Sequence, residues 1–257
     1  MGEREILMGA LVLCYHAVSE RWPAALSVTP DTLRDQLALL RRQGYRGATF
    51  SDVALGRVDG KVVAITFDDA FSSVGELAKP LLDEVGMPAT VFVPTGYVGC
   101  EGPMAWPGTD NWVGGPHEAE LSCMSWDELR ALRDAGWEIG SHTRSHPYLT
   151  RLSDAELAEE LATSRSDCER ELGACESLAY PYGDYDERVV AAAGAAGYAT
   201  ACTLPDTMHG ERPLAWPRVG VYHADAGQRF RLKLSPAVQR LRGAERLAAL
   251  ARRATRR

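Results

Sequence analysis

The sequence has no Cys-x-x-Cys pair, and its six cysteines, at positions 14, 100, 123, 168, 175 and 202, are widely and irregularly spaced. A thiolate zinc ribbon is thereby excluded, and the spacing does not read as a disulfide framework. Reduced, mostly buried thiols are expected, with Cys100 and Cys123 flanking a loop where an oxidant could join them. No apolar run is long enough to cross a bilayer. Positive charge is not in excess either. The net charge is -7, whereas nucleic-acid binding leaves a basic footprint, so nucleic acid is not an expected partner. The acidity is uneven, since residues 236–257 hold seven arginines against one glutamate. Residues 6–15 have the length of a signal-peptide core, but Gly2-Glu3-Arg4-Glu5 before them carries more acid than base, and no small-residue cleavage site follows cleanly. A cytoplasmic location is the expectation. No linker, composition break or internal repeat interrupts the chain, so one domain over 1–257 is expected, with a basic terminal helix over 236–257.

What is present is enough for one large core: 46% of the residues are hydrophobic and 25% charged. Residues 11–16 read as a buried strand. Thr29-Pro30 opens a helix, with Thr as cap and Pro at the first helical position, where its missing N–H costs nothing. Leu33, Leu37 and Leu40 give that helix an apolar stripe, and Gly44 ends it. Residues 61–67 and 89–94 read as strands, with a helix over 76–85 between them. The stretch 99–124 is loop-like and carries Asp110, His117 and Glu118; loops this long are often functional. Ser125-x-x-Glu128 and Ser153-x-x-Glu156 are capping boxes that open the next two helices. Strands follow over 137–141, 178–182, 198–203 and 216–222, with a helix over 188–196. Alternating strands and helices imply an α/β fold with a parallel sheet, and their number suits a barrel, whose chemistry sits where strands end.

Three polar clusters fall at those ends: Thr66-Phe67-Asp68-Asp69, His142-Thr143-Arg144-Ser145-His146, and Tyr180-Pro181-Tyr182-Gly183. Each has an ordinary reading. An Asp-Asp pair caps helices or makes turns, two histidines four apart are often structural, and Tyr-Pro-Tyr-Gly makes a turn. Together they have a chemical one. Two imidazoles and a carboxylate form an open three-ligand metal site, and the second carboxylate of the Asp pair can take a proton from water. Pro147 biases His146 away from helical geometry, so the histidine pair is expected to be able to sit on a loop.

These motifs, in this order, resemble those of the polysaccharide deacetylases, the NodB-homology enzymes of carbohydrate esterase family four; the resemblance runs from about Leu11 to Val221. It implies a distorted (β/α) barrel of about seven parallel strands. It implies removal of N-acetyl groups from an N-acetylated amino sugar in a polysaccharide, oligosaccharide or lipid-linked precursor. Asp68 would be the base. Asp69, His142 and His146 would hold a divalent metal, zinc before others, and the Tyr182 N–H, beside Pro181, would hold the oxyanion. The sequence departs from the family at Ala179, where many members carry an arginine that orients the base; Arg218 is the candidate replacement, the alternative being a surface salt bridge. The proton donor is expected at His16, which ends the first strand, with His223 as the alternative. Trp106 and Trp112 in the long loop offer sugar-stacking faces, or a packed lid. The terminal helix could touch an anionic membrane or dock by its apolar face. Two rival functions remain: hydrolysis of a cyclic amide or other small N-acyl compound, and non-catalytic carbohydrate binding. The sequence leaves the oligomeric state open.

Overall fold

The computed structural model describes residues 10–204 and 212–235. The basic segment 236–257 lies outside them, as do residues 6–9 of the apolar N-terminal run. Among the described residues, no helix is long and apolar enough to cross a membrane.

In chain order the strands are β1 (Leu11–Tyr15), β2 (Ala17–Val18), β3 (Ser27–Val28), β4 (Arg46–Ala48), β5 (Val62–Phe67), β6 (Thr90–Val93), β7 (Glu138–Ser141), β8 (Ser177–Ala179), β9 (Thr200–Thr203), β10 (Trp216–Pro217) and β11 (Val219–Gly220). The helices are α1 (Pro30–Arg42), α2 (Phe50–Ala54), α3 (Lys79–Val85), α4 (Trp126–Asp134), α5 (Asp154–Leu172), α6 (Glu187–Ala195) and α7 (Gln228–Leu234). The main sheet runs β10-β9-β8-β7-β6-β5-β1-β11, and every pairing in it is parallel. Its two ends are one stretch of chain. Trp216 lies opposite Cys202 of β9, and Val219 lies opposite Leu13 of β1. The segment that carries Arg218 therefore closes the ring, and the expected barrel of about seven strands is the observed one. β4 pairs with the first half of β5 and β6 with its last two residues.

Side chains alternate across each strand because the strand period is two. Val12, Val62, Ala64, Phe92, Ala179, Cys202 and Trp216 form one buried cluster, the barrel interior, plugged at its lower end by Phe50 and Val53 of α2. Leu11, Leu13, Val63, Ile65, Val91 and Ile139 belong to the larger cluster under the helices. Each such aliphatic burial is worth about 1.5–3 kcal/mol. The lower rim is tied by the Glu138 carboxylate, which accepts from the Ser51 N–H at 2.9 Å, Thr90 Oγ1 at 3.0 Å, Ser177 Oγ at 2.6 Å and the Ser51 hydroxyl.

The helix starts are those the caps predict: Thr29 before Pro30, and complete capping boxes at Ser125 and Ser153. Three elements differ from the sequence reading. The helix expected over 76–85 is a π-helical turn, Val74–Ala78, followed by α3, with Pro80 in the first turn of α3, where a missing N–H is tolerated. The strand expected over 178–182 ends at Ala179, because Pro181 opens a tight turn. The strand expected over 216–222 is broken at Arg218.

Candidate active site

The ends of β1, β5, β7 and β8 bring His16, Asp68, Asp69, His142 and the 180–183 turn to the upper rim, and the closing segment brings Arg218. Asp68 and Asp69 are 1% and 2% exposed, His142 2% and His146 5%. Buried charge needs partners, and those partners define the site.

Asp68 has Arg218, which is 0% exposed and therefore not a surface salt bridge. Its Nη1 donates to Oδ1 and its Nη2 to Oδ2, both at 2.7 Å. Nη1 also donates to Thr66 Oγ1 at 2.9 Å, and Nε to the Thr203 carbonyl at 3.2 Å. The guanidinium lies 5.5 Å from the Phe92 ring centroid. Burial alone would raise the Asp68 carboxyl; the facing guanidinium, helped by the His142 and His16 imidazoles, outweighs it and brings it down to about 2.

Asp69 has only imidazoles. Its Oδ1 lies 3.4 Å from His142 Nε2 and 3.3 Å from His146 Nε2, yet this buried oxygen makes no hydrogen bond of proper geometry. The Ala179 carbonyl, 2.8 Å from His142 Nδ1, can only accept, so Nδ1 carries the proton and Nε2 turns a lone pair inward. One donor atom from each of Asp69, His142 and His146 lies within 4.8 Å of the others. Three electron-pair donors converging on one point, with an orphaned carboxylate oxygen among them, fit a divalent cation. The same field acts on a proton: burial opposes a cationic His142, but the Asp68 and Asp69 carboxylates raise its pKa.

Left-handed backbone marks this site. Asp69, Ala70, Thr143, His146 and Tyr182 have φ of 71°, 51°, 65°, 60° and 59°, and they are the non-glycine residues in the left-handed region among those described. For β-branched Thr143 this is a pronounced outlier. Strain of this kind persists where the surroundings over-determine it. The Thr143 N–H donates to Ser141 Oγ at 3.0 Å. The Thr143 carbonyl accepts from Thr95 N–H at 3.1 Å, and the Arg144 carbonyl from Gly96 N–H at 2.8 Å. A Cβ on Gly96 would stand 2.7 Å from the Arg144 oxygen, so only glycine allows that approach. The Glu160 carboxylate takes the N–H groups of Arg144 and Ser145, at 3.0 and 2.9 Å. The histidine pair thus sits on a pinned loop, as Pro147 suggested.

Trp106 is not an exposed platform. It is 6% exposed, and one face lies on the His146 ring, 4.1 Å between centroids at 19°. Tyr182 meets the same ring edge-on at 4.6 Å, and Tyr148 stacks on Tyr182 at 4.0 Å. Of the two readings of the loop tryptophans, packing therefore describes Trp106. Trp112 is half-buried against Trp22 and His117. Asp110, His117 and Glu118 join neither of the two ligand clusters found among the described residues. His16 is buried in the second of these clusters, with Cys14 and Asp68. His223 is exposed, its Nδ1 donating to the Ser27 carbonyl at 3.1 Å, and lies in neither. Cys14 was missed in the sequence, although strand alternation from His16 would have placed it on the same face.

Residues 56–201 match the family described as Polysaccharide deacetylase. The Bacillus subtilis (strain 168) protein YxkH, named for the same family, is 25% identical over 198 residues, which are 75% of this chain and 63% of that protein. The poly-beta-1,6-N-acetyl-D-glucosamine N-deacetylase of Staphylococcus aureus (strain MSSA476) is 26% identical over 171 residues, 61% of this chain and 54% of that one. The chain therefore spans less than two thirds of the length of these curated relatives. Among solved structures, the Streptococcus pyogenes deacetylase PplD in complex with acetate has the same fold, with a TM-score of 0.71, 21% identity, and coverage of 88% of this chain and 98% of that one. IcaB from Ammonifex degensii gives a TM-score of 0.68 at 26% identity, over 83% and 91% of the two chains.

Proposed function

The chain belongs to the polysaccharide deacetylase family, and from that premise we propose that it hydrolyses the N-acetyl group of an amino sugar in a polysaccharide, oligosaccharide or lipid-linked precursor, with Asp69, His142 and His146 holding a divalent metal, zinc before others. The observation that carries this reading is the orphaned Asp69 Oδ1 facing two imidazole nitrogens, beside a second carboxylate that is fixed by arginine instead. Similarity to a poly-N-acetylglucosamine deacetylase supports the substrate class.

A bound cation would supply Lewis acidity, activating water and polarising the acyl oxygen. The chain's residues do the rest. Asp68 is ionised at neutral pH and fixed at both oxygens by Arg218, so it can take the proton from water in a set orientation. The turn that holds Tyr182 in the left-handed region offers its backbone N–H to the developing oxyanion. The amine leaves only when protonated, and His16 is the buried imidazole beside Asp68 that is not among the proposed metal ligands.

Two tests follow. Acetate released from N-acetylglucosamine oligomers, followed alongside a panel of small N-acyl compounds and cyclic amides, is expected from the saccharides; release from the small compounds alone would favour the rival hydrolase. His16→Ala should cut turnover about 10²-fold or more and remove the alkaline limb of the pH profile, where the donor loses its proton. His223→Ala should leave both within about twofold, since surface positions away from the site count for little. A swap of these two phenotypes would move the donor to His223.

A further inference from the structure

The cluster beside the proposed metal ligands has its own chemistry. Cys14 and His16 are two apart, one on β1 and one just past it, so their side chains emerge on the same face. One donor atom from each of Cys14, His16 and Asp68 lies within 4.8 Å of the other two. Cys14 Sγ is 3.4 Å from Asp68 Oδ2. His16 is 7% exposed, and its buried Nδ1 has no hydrogen-bond partner. A thiol, an imidazole and a carboxylate at ligand spacing, one with an unsatisfied nitrogen, make a softer donor set than the neighbouring Asp-His-His.

We propose that Cys14, His16 and Asp68 form a second, inhibitory cation site that takes a thiophilic divalent metal such as Cd²⁺ or excess Zn²⁺. The inhibitory part rests on the function proposed above, in which Asp68 and His16 move the protons; the binding part does not. Burial holds the Cys14 thiol protonated without metal. On binding, the S–H proton passes to solvent, a sulfur–metal bond forms, and nothing is oxidised or reduced. The carboxylate has four lone-pair directions, so a metal can reach Asp68 while Arg218 keeps both oxygens. The guanidinium repels a second cation, so this site fills after the first. Mg²⁺, which prefers oxygen ligands, should not fill it.

The test is a titration of the metal-free full chain with Cd²⁺ and with Co²⁺. Two equivalents are expected, the second bringing a thiolate-to-metal charge-transfer band. Cys14→Ser and Cys14→Ala should each take one equivalent with no band, whereas Cys202→Ser, a buried thiol outside the cluster, should keep both. With one equivalent loaded, a second should lower wild-type acetate release by about tenfold or more, the low end of a lost proton-transfer group. Each Cys14 variant, normalised to its own rate at one equivalent, should change less than about twofold, having lost the thiolate that makes the site hold a thiophilic ion. A second equivalent without the band, or a band and inhibition that survive in both Cys14 variants, overturns the site. Absence of acetate release at every loading counts against the proposed function, and the band and stoichiometry still decide the site.

Discussion

Asp68→Asn is expected to stop turnover and leave the metal bound, while Asp69→Asn releases the metal. The two carboxylates are adjacent in sequence and buried alike, yet they face different partners. Asp68 is held at both oxygens by Arg218, and its nearest oxygen is 4.0 Å from His142 Nε2. Asp69 Oδ1 is 3.3 and 3.4 Å from two imidazole nitrogens and has no arginine. An amide at 68 cannot accept a proton, and removing a general base costs about 10²–10⁴-fold. It also turns an N–H₂ toward one Arg218 donor, which adds misorientation to the loss. An amide at 69 removes the only carboxylate among the proposed ligands. Metal content and acetate release measured together separate the two roles, and equal metal loss in both variants would contradict them.

Arg218→Met is expected to destabilise the metal-free protein by about 3–5 kcal/mol, the usual consequence of stripping one partner from a buried ion pair. Methionine keeps much of the volume, so the loss reports the stranded Asp68 charge. The pH dependence follows from the direction of the shift. In the wild type the folded-state carboxyl is held down to about 2, so its contribution is complete above the unfolded value near 4 and fades as pH falls toward 2. In the variant, burial is opposed only by the neighbouring His142 and His16 imidazoles, and the folded carboxyl rises toward and above the unfolded value. The deficit should then be smallest in acid and grow as pH climbs from about 4 to neutrality. Denaturant midpoints at pH 4 and 7.5 check this; a deficit independent of pH would mean that packing is what was lost.

Much of the fold was legible because it is local. Capping boxes at Ser125 and Ser153, the Thr29-Pro30 start and the β5 run that ends on Asp68-Asp69 each announce themselves within a few residues. Strands as short as β4 and β10 hold too few residues to show a period. In the site, the four motif residues were visible as ligand types at strand ends. The Arg218–Asp68 pair spans 150 residues, and only barrel closure brings it together. Sequence supplied the candidate, and the ring of β1 and β9 around the closing segment supplied the partner. The sequence left Trp106 as either a stacking face or a packed lid, because residue type does not tell an exposed loop tryptophan from one buried against His146, as this one is. The left-handed positions at Thr143 and Tyr182 are not themselves glycine, so the residue type does not signal them.

The most direct measurement of the account is acetate release from an N-acetylglucosamine oligomer by the full chain before and after metal removal. Metal-stripped protein should be inactive, and about one equivalent of Zn²⁺ should restore turnover, the stoichiometry of a single three-ligand site. His142→Ala and His146→Ala should neither retain the ion nor recover. Full turnover in metal-free protein, or a His142→Ala variant that binds metal and works as well as the wild type, would contradict the site and the reaction together.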